Sequence, residues 1–329
     1  MDTRQANQCP SPPGQSAAPT DVPAKALQLF AALEQRLGVH VLGKEEQIRL
    51  SLCCLLARGH LLIEDIPGIG KTTLAKALAK VLGLKFRRVQ CTNDMLPGDI
   101  LGVSVFDQRS GLFSFHPGAI FTQILLVDEI NRATAKTQSA LLEAMEERQV
   151  SIEGESRPLP APFFVVATQN PLEQAGTYPL PESQLDRFLM KISLGYPNHE
   201  AERQLLVAGG TVVRDDEQGL VDAEVVFQLQ EQVSQVRLSQ ALVDYLQDIL
   251  NFSRNSGRFA IGLSPRAGLS LARASQSHAL LHGRNFVLPE DVRRVLPYIA
   301  IHRLKTADSL AALTIAELEV AFQAVPVPA

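Results

Sequence analysis

A glycine-rich turn that ends in Lys71-Thr72 is the first segment of this sequence whose residues could do chemistry. It lies between an apolar run, Leu61–Glu64, and a stretch rich in Ala, Leu and Lys, which indicates a strand before it and a helix after it. Such turns bind phosphate groups, because backbone N–H groups surround the oxygens and the helix N-terminus adds its positive end. The residues expected to contact phosphate are Pro67, Gly68, Ile69, Gly70, Lys71, Thr72 and Thr73. Lys71 would reach the β and γ phosphates, and the Thr72 hydroxyl would bind Mg²⁺.

One position departs from the general phosphate-loop pattern G-x-x-x-x-G-K-[ST], since Asp65 stands where the first glycine is expected. Gly68 and Gly70 still supply a permissive backbone. The alternative is a chance Gly-Lys-Thr turn, which the strand before it and the helix after it disfavour.

Two acids, Asp128 and Glu129, follow the apolar run Ile124–Val127. The carboxyl end of a strand in an open α/β sheet lies at the ligand crevice, so Asp128 would help to hold Mg²⁺. Glu129 would orient or deprotonate the attacking water. Taken alone this signal is weak, because many strands end in solvated acids. Downstream of a phosphate loop it predicts hydrolysis of a nucleoside triphosphate.

The next apolar run is Phe163–Ala167. Two polar residues follow it, and Asn170 comes directly after them. At that place its amide could bond both the γ-phosphate and the water. A turn asparagine before Pro171 is the alternative.

The texture of the sequence predicts two domains after a tail. Residues 1–23 are rich in Pro, Gln, Ser and Ala and are expected to be disordered. Residues 24–197 alternate strands with amphipathic helices, which indicates an α/β fold with a parallel sheet. Two hairpins are expected inside this domain, at 103–115 and from 150 onwards. Residues 198–329 are helical in period and predict a small all-helical domain.

Composition limits the classes of function. The chain has 329 residues, 46% of them hydrophobic, with a net charge of -4 and a pI near 6.0, so no overall attraction to nucleic acid or to an acidic membrane is expected. We expect no transmembrane helix and no secretion signal. The four cysteines lack metal-ligand spacing, and the seven histidines form no HExxH. These features favour a cytoplasmic protein.

The order of the motifs resembles the MoxR family of the AAA+ superfamily. The segments that match are LLIEDIPGIGKTTLAKALA, LLVDEINRATAKTQSALLEAMEERQV, VVATQNPLEQAGTYPLPESQLDRF and GLSPRA. The resemblance implies a P-loop AAA+ core with two hairpin insertions, followed by a helical lid. It also accounts for Asp65, which looks like the family's habit at that position.

The resemblance implies roles for further residues. Asn170 matches the sensor 1 position. Arg187 matches the arginine finger that reaches the nucleotide of a neighbouring subunit, and Arg266 matches sensor 2, which contacts the nucleotide of its own subunit. Val41 and Gly43 match a short segment that lies on the adenine, with a helix-capping turn as the alternative.

The function implied by the resemblance is Mg²⁺-dependent ATP hydrolysis by a ring-forming, chaperone-like motor, commonly a hexamer, which remodels or matures a protein client. Partners with a von Willebrand factor A domain are typical of the family. One alternative is a nucleotide-dependent switch or adaptor, which the intact Glu129 and Asn170 disfavour. Another is a nucleic-acid motor, which the acidic balance and the mixed charges of the hairpin loops disfavour.

Overall fold

A five-stranded parallel sheet forms the centre of the protein. The computed structural model describes residues 24–109, 111–172, 176–207 and 218–328, so the expected tail 1–23 lies outside the described residues. The strands of the sheet are β1 (Leu61–Glu64), β2 (Phe86–Gln90), β5 (Ile124–Asp128), β8 (Phe164–Gln169) and β9 (Met190–Ile192). Their spatial order is β2-β5-β8-β1-β9, which places the carboxyl ends of β5, β8 and β1 side by side.

Both faces of this sheet are buried, which explains why its strands are continuous apolar runs. Along β5, Ile124 and Leu126 belong to one hydrophobic cluster, while Leu125 and Val127 belong to a second cluster on the opposite face. All four side chains are inaccessible to solvent. Alternating residues of a strand point to opposite faces, so a run of apolar residues satisfies both layers at once.

Among the described residues, the first six helices alternate with the strands or precede them, and the last six follow the final strand of the sheet. The helices up to the last strand are α1 (Ala24–His40), α2 (Glu45–Leu56), α3 (Lys71–Val81), α4 (Pro97–Leu101), α5 (Ala135–Glu147) and α6 (Glu182–Leu185), with a short 3₁₀ helix at Ile130–Arg132. The later helices are α7 (His199–Val207), α8 (Ala223–Gln235), α9 (Gln240–Asn255), α10 (Pro265–Leu281), α11 (Pro289–Ala300) and α12 (Ile315–Phe322). The predicted α/β fold followed by a helical lid is confirmed. The predicted division at residue 197 falls between β9 and α7.

Both predicted hairpins are present. Strands β3 (Gly102–Asp107) and β4 (Leu112–Pro117) pair antiparallel, as do β6 (Gln149–Ile152) and β7 (Glu155–Pro158). Each forms a two-stranded sheet of its own, apart from the central sheet.

The helical lid packs against α2 of the core. The Cys53 thiol on α2 donates to the Ala274 carbonyl on α10 at 3.3 Å, and the Ser277 hydroxyl donates to the Cys53 carbonyl at 2.8 Å. From α8, the Gln230 amide donates to the Leu55 carbonyl at 2.7 Å. These contacts are buried, and they hold α8 and the second half of α10 against α2.

Within the described residues, no helix is both long enough and apolar enough to cross a membrane.

A buried ion pair stabilises the lid internally. Asp291 on α11 accepts from both terminal nitrogens of Arg284, at 2.6 and 2.7 Å, and pairs with His278 Nδ1 at 2.7 Å. Burial alone would raise the pKa of the Asp291 carboxyl, but the bonds from Arg284 and His278 outweigh it and lower that pKa to about 2.

We expect Asp291→Asn to lower the free energy of unfolding by about 3 kcal/mol at pH 7, because it removes the buried carboxylate and leaves the half-buried Arg284 charge without its partner. The folded pKa lies below the unfolded value of about 3.9, so this contribution is present above pH 4 and declines as the pH falls towards 2. Thermal unfolding from pH 7 to pH 2.5 measures it, with Asp308→Asn at an exposed position as the control. A gap between variant and wild type that does not narrow at acid pH would contradict this account.

Candidate nucleotide site

A cavity of about 380 Å³ opens at the carboxyl edge of the sheet, between the phosphate loop and the ends of β2, β5 and β8. Its walls are formed by Pro67, Gly68, Gly70, Lys71, Thr72, Thr73, Arg88, Gln90, Asp128, Glu129 and Asn170. The Ile69 side chain packs against the hydrophobic core, and its expected phosphate contact stays a prediction. The structure therefore brings most of the sequence-predicted site residues around one space.

The phosphate loop owes its shape to two glycines in left-handed conformations. Gly68 has φ 84° and Gly70 has φ 96°, values at which a side chain would be strained. Gly70 is also the N-cap of α3, whose first N–H groups have no partners within the helix and can bind an anion.

Within the part of the chain that the structure describes, Lys71 on this loop makes no hydrogen bond to a carboxylate. Its ammonium group donates to the Asp65 carbonyl at 2.6 Å. Burial lowers the pKa of Lys71, while the nearby charges of Asp128, Asp65 and Glu129 oppose that shift. A phosphate group in the cavity would stabilise this partly desolvated charge.

Asp65, the departure from the general pattern, anchors the loop. Its Oδ1 accepts from the Ile66 N–H at 2.9 Å. Its Oδ2 accepts from the Ser193 hydroxyl and from the Gly195 N–H, both at 2.7 Å. The carboxylate thus joins the phosphate loop to the segment that follows β9, a connection that glycine could not make.

The acids at the end of β5 are held by neighbouring strands. Asp128 Oδ1 accepts from the Thr168 hydroxyl on β8 at 2.6 Å, and its Oδ2 accepts from Arg88 on β2 at 2.6 and 3.1 Å. Glu129 has φ 56°, and its N–H donates to the Thr168 hydroxyl at 2.9 Å. Backbone strain of this kind is concentrated at functional sites.

The Glu129 carboxylate itself has two partners. Its Oε2 accepts from the Gln90 amide at 2.8 Å and lies 3.0 Å from Arg132 Nε. Asn170, at the end of β8, is buried and accepts from the Leu172 N–H at 3.2 Å through its Oδ1. Glu129 and Asn170 line the same cavity as Lys71.

Sequence reasoning missed Arg88, Gln90 and Thr168. Arg88 and Gln90 alternate along β2, and Gln90 lies in register with Asp128 of the adjacent β5. A signal was present in principle, because polar residues two apart on a strand next to the acidic strand share its face.

The two arginines expected to act on the nucleotide lie elsewhere. Arg187 Nε donates to Glu146 Oε2 on α5 at 2.7 Å, and Arg266 pairs with the other oxygen of the same carboxylate. Among the described residues, the walls of the nucleotide cavity include neither arginine; both line a second cavity of about 240 Å³. The expected contact of Arg266 with the nucleotide of its own chain stays a prediction, and in this structure Arg266 lines the second cavity.

Val41 and Gly43 also lie outside the walls of the nucleotide cavity. They occupy the turn between α1 and α2, where Gly43 has φ 66° and faces Asn198 and Ala201 at the start of α7.

Thr72 and Asp128 offer oxygen ligands of the kind that Mg²⁺ prefers, within one cavity. Elsewhere in the described residues, His278, His282 and Asp291 bring candidate ligand atoms within 4.8 Å of one another. Arg284 already donates to both oxygens of that carboxylate, so this group is an ion pair of the lid.

We expect Asp65→Gly, which restores the general pattern, to weaken ATP binding by about tenfold, because bonds to the carboxylate worth about 1–2 kcal/mol are lost. Titration with a fluorescent ATP analogue measures this, with Asp94→Gly in an exposed loop as the matched control. Unchanged affinity in Asp65→Gly would show that the anchor is dispensable.

Comparison with known proteins agrees with this geometry. The model of the ATPase family associated with various cellular activities (AAA) matches residues 60–190, and that of the AAA lid domain matches residues 251–320. A crystal structure of a proposed ATPase from Cytophaga hutchinsonii is similar, with a TM-score of 0.84 and 34% identity, and the match covers 93% of this chain and 96% of that one.

Two bacterial relatives are similar over most of the chain. Protein YeaC of Bacillus subtilis is 44% identical over 266 residues, which cover 80% of this chain and 83% of YeaC. Chaperone MoxR1 of Mycobacterium tuberculosis is 42% identical over 281 residues, which cover 82% of this chain and 74% of MoxR1. Identity at that level over matching lengths, together with the two domain matches, shows that this nucleotide-binding chain belongs to the MoxR family of AAA+ ATPases.

Proposed function

We propose that the protein hydrolyses ATP with Mg²⁺ at the interface between neighbouring subunits of a ring. The observation that supports this most directly is the position of Arg187 and Arg266, which share Glu146 and lie outside the walls of the cavity around Lys71. An arginine stabilises the charge of a transferred phosphoryl group only by reaching it. Two half-buried arginines, whose side chains are 27% and 41% exposed, are available to the cavity of an adjoining copy.

Each residue of the cavity has a role in this proposal. Lys71 and the loop N–H groups hold the β and γ phosphates. Glu129, released from Gln90, orients or deprotonates the attacking water, and Asn170 bonds the water and the γ-phosphate. Lys71, Glu129 and Asn170 all line the same cavity, which supports these roles.

Magnesium fits the oxygen atoms of Thr72 and Asp128. When bound, it would neutralise part of the negative charge of the phosphates. Arg88 now donates to Asp128, and it would give up that carboxylate oxygen to the ion and turn its guanidinium towards the phosphates.

The residues proposed to contact the nucleotide base come from the resemblance to the family. We propose that Val41 and Gly43 contact adenine once the turn between α1 and α2 adjusts to the ligand. We also propose residues 24–197 as the ATPase core, residues 198–329 as the lid and residues 1–23 as a disordered tail.

The client that we propose is a protein. One relative is named a chaperone, MoxR1. On the β3–β4 hairpin Phe106, Leu112 and Phe113 expose 50%, 67% and 67% of their surface, and apolar side chains of this kind suit contact with polypeptide rather than with a phosphate backbone. Ring assembly, commonly as a hexamer, a partner with a von Willebrand factor A domain and a cytoplasmic location complete the proposal.

Mixing two inactive variants tests the interface. Arg187→Ala alone should lose at least about a hundredfold in turnover, because it cannot stabilise the neighbour's transition state. Glu129→Gln alone should also be inactive, although its Arg187 is intact. In a random mixture in equal amounts, roughly one quarter of the sites combine an intact Glu129 with an intact arginine, so turnover should rise far above the sum of the separate preparations.

Arg237→Ala, at an exposed position of the lid, is the matched control and should keep wild-type turnover. Full turnover in Arg187→Ala alone would contradict the proposal. So would the lack of recovery in a mixture that sizing shows to have assembled.

A further inference from the structure

The segment that contains Arg187 is held in place by the lid. Arg303, just after α11, has a side chain that is only 5% exposed, and it donates to Asp186 Oδ1 at 2.6 Å. It also donates to the carbonyls of Asp186 and Phe188, at 3.1 and 2.7 Å. A buried guanidinium must have its N–H groups satisfied, and here the residues on either side of Arg187 provide the acceptors. The backbone at Arg187 is therefore tied to the lid.

A second lid residue contacts the same carboxylate. The Ser264 hydroxyl donates to Asp186 Oδ2 at 3.1 Å while accepting from the Ala267 N–H at 3.0 Å as the N-cap of α10. Arg266 lies two residues further along. Asp186 thus joins the start of α10, which presents Arg266, to the segment that presents Arg187.

The two arginine side chains meet again at their far ends. Arg187 and Arg266 pair with different oxygens of the Glu146 carboxylate on α5. Asp186 links the two backbone segments, because it precedes Arg187 and bonds Ser264 near Arg266. Glu146 links the two guanidinium groups. The distance between the two cations is therefore restrained both at the backbone and at the ends of the side chains. Neither arginine can shift far without the other.

We propose that Asp186 is a positioning residue that couples the lid to Arg187. Held by Arg303 and Ser264, it sets the place from which Arg187 and Arg266 together reach the triphosphate of the neighbouring chain. A movement of the lid in one subunit then displaces both cations at the next subunit's site. This inference rests on the proposed interface between subunits.

Ser264→Asp tests the coupling without removing the helix cap, since Asp is as favourable as Ser at an N-cap. The variant loses the O–H donor and places a second carboxylate beside Asp186. We expect kcat to fall on the order of 10- to 100-fold through misplacement of Arg187, with ATP affinity unchanged. Asp186→Asn, which removes the charge that Arg303 pairs with, should give the same pattern.

The loss should appear only at the neighbour's site. Mixing Ser264→Asp with Glu129→Gln should therefore restore turnover, because an intact arginine pair then serves an intact cavity. Ser264→Asn, which keeps both a cap and an N–H donor, should stay near wild type. Ser239→Asp is the matched control: Ser239 caps α9 by accepting from the Leu242 N–H at 3.2 Å, and the variant should keep wild-type kcat.

Wild-type kcat in both Ser264→Asp and Asp186→Asn would overturn the inference. A loss that mixing does not restore, while Arg187→Ala is restored in the same assay, would also overturn it and would leave the interface site standing. If Arg187→Ala is not restored either, the interface site is wrong and this inference fails with it.

Discussion

Charged groups at the carboxyl edge of the sheet must each have a partner, because an unpaired charge in a partly buried crevice costs several kcal/mol. Lys71 is held by the Asp65 carbonyl, Asp128 by Thr168 and Arg88, and Glu129 by Gln90. These partners keep the side chains in place before any ligand binds. On binding, ATP and a divalent cation would replace these partners as the groups that contact the charged side chains. Binding would therefore need little rearrangement of the backbone.

The same constraint applies at the second centre of charge. Arg187 and Arg266 both need an acid, and Glu146 provides one carboxylate for the pair. Buried Arg303 needs acceptors, and it finds them around Asp186. The chain therefore contains an anion-binding cavity and, apart from it, a pair of cations. A head-to-tail interface would bring the cavity of one copy to the cations of the next.

Much of the fold could be predicted from sequence where the signal is local. The phosphate loop, the acidic end of β5 and both hairpins follow from short patterns. The three-residue strand β9 was missed because it is too short to show a period. Helix α12 lies within the predicted helical domain, but its eight residues, of which Leu318, Ala321 and Phe322 are buried, are too few to mark its bounds by period.

The parts of the site that could not be predicted depend on long-range packing. Arg88 resembles a solvated residue of an edge strand, and only the pairing of β2 with β5 brings it to Asp128. The position of Arg266 depends on the packing of α10 against α2. The residues of the GLSPRA motif alone do not indicate this packing. Resemblance identified the residue, but the packing of the lid determines which carboxylate it meets.

In the proposed ring, the cavity of one chain is completed by the arginines of another. Turnover of ATP per subunit, measured over a wide range of protein concentration with saturating Mg²⁺ and Glu129→Gln as the blank, tests it most directly when sizing is performed on the same samples. We expect the rate of ATP turnover per subunit to rise with protein concentration in proportion to the fraction of subunits assembled in rings. A full specific rate in samples that sizing shows to be monomeric would contradict it.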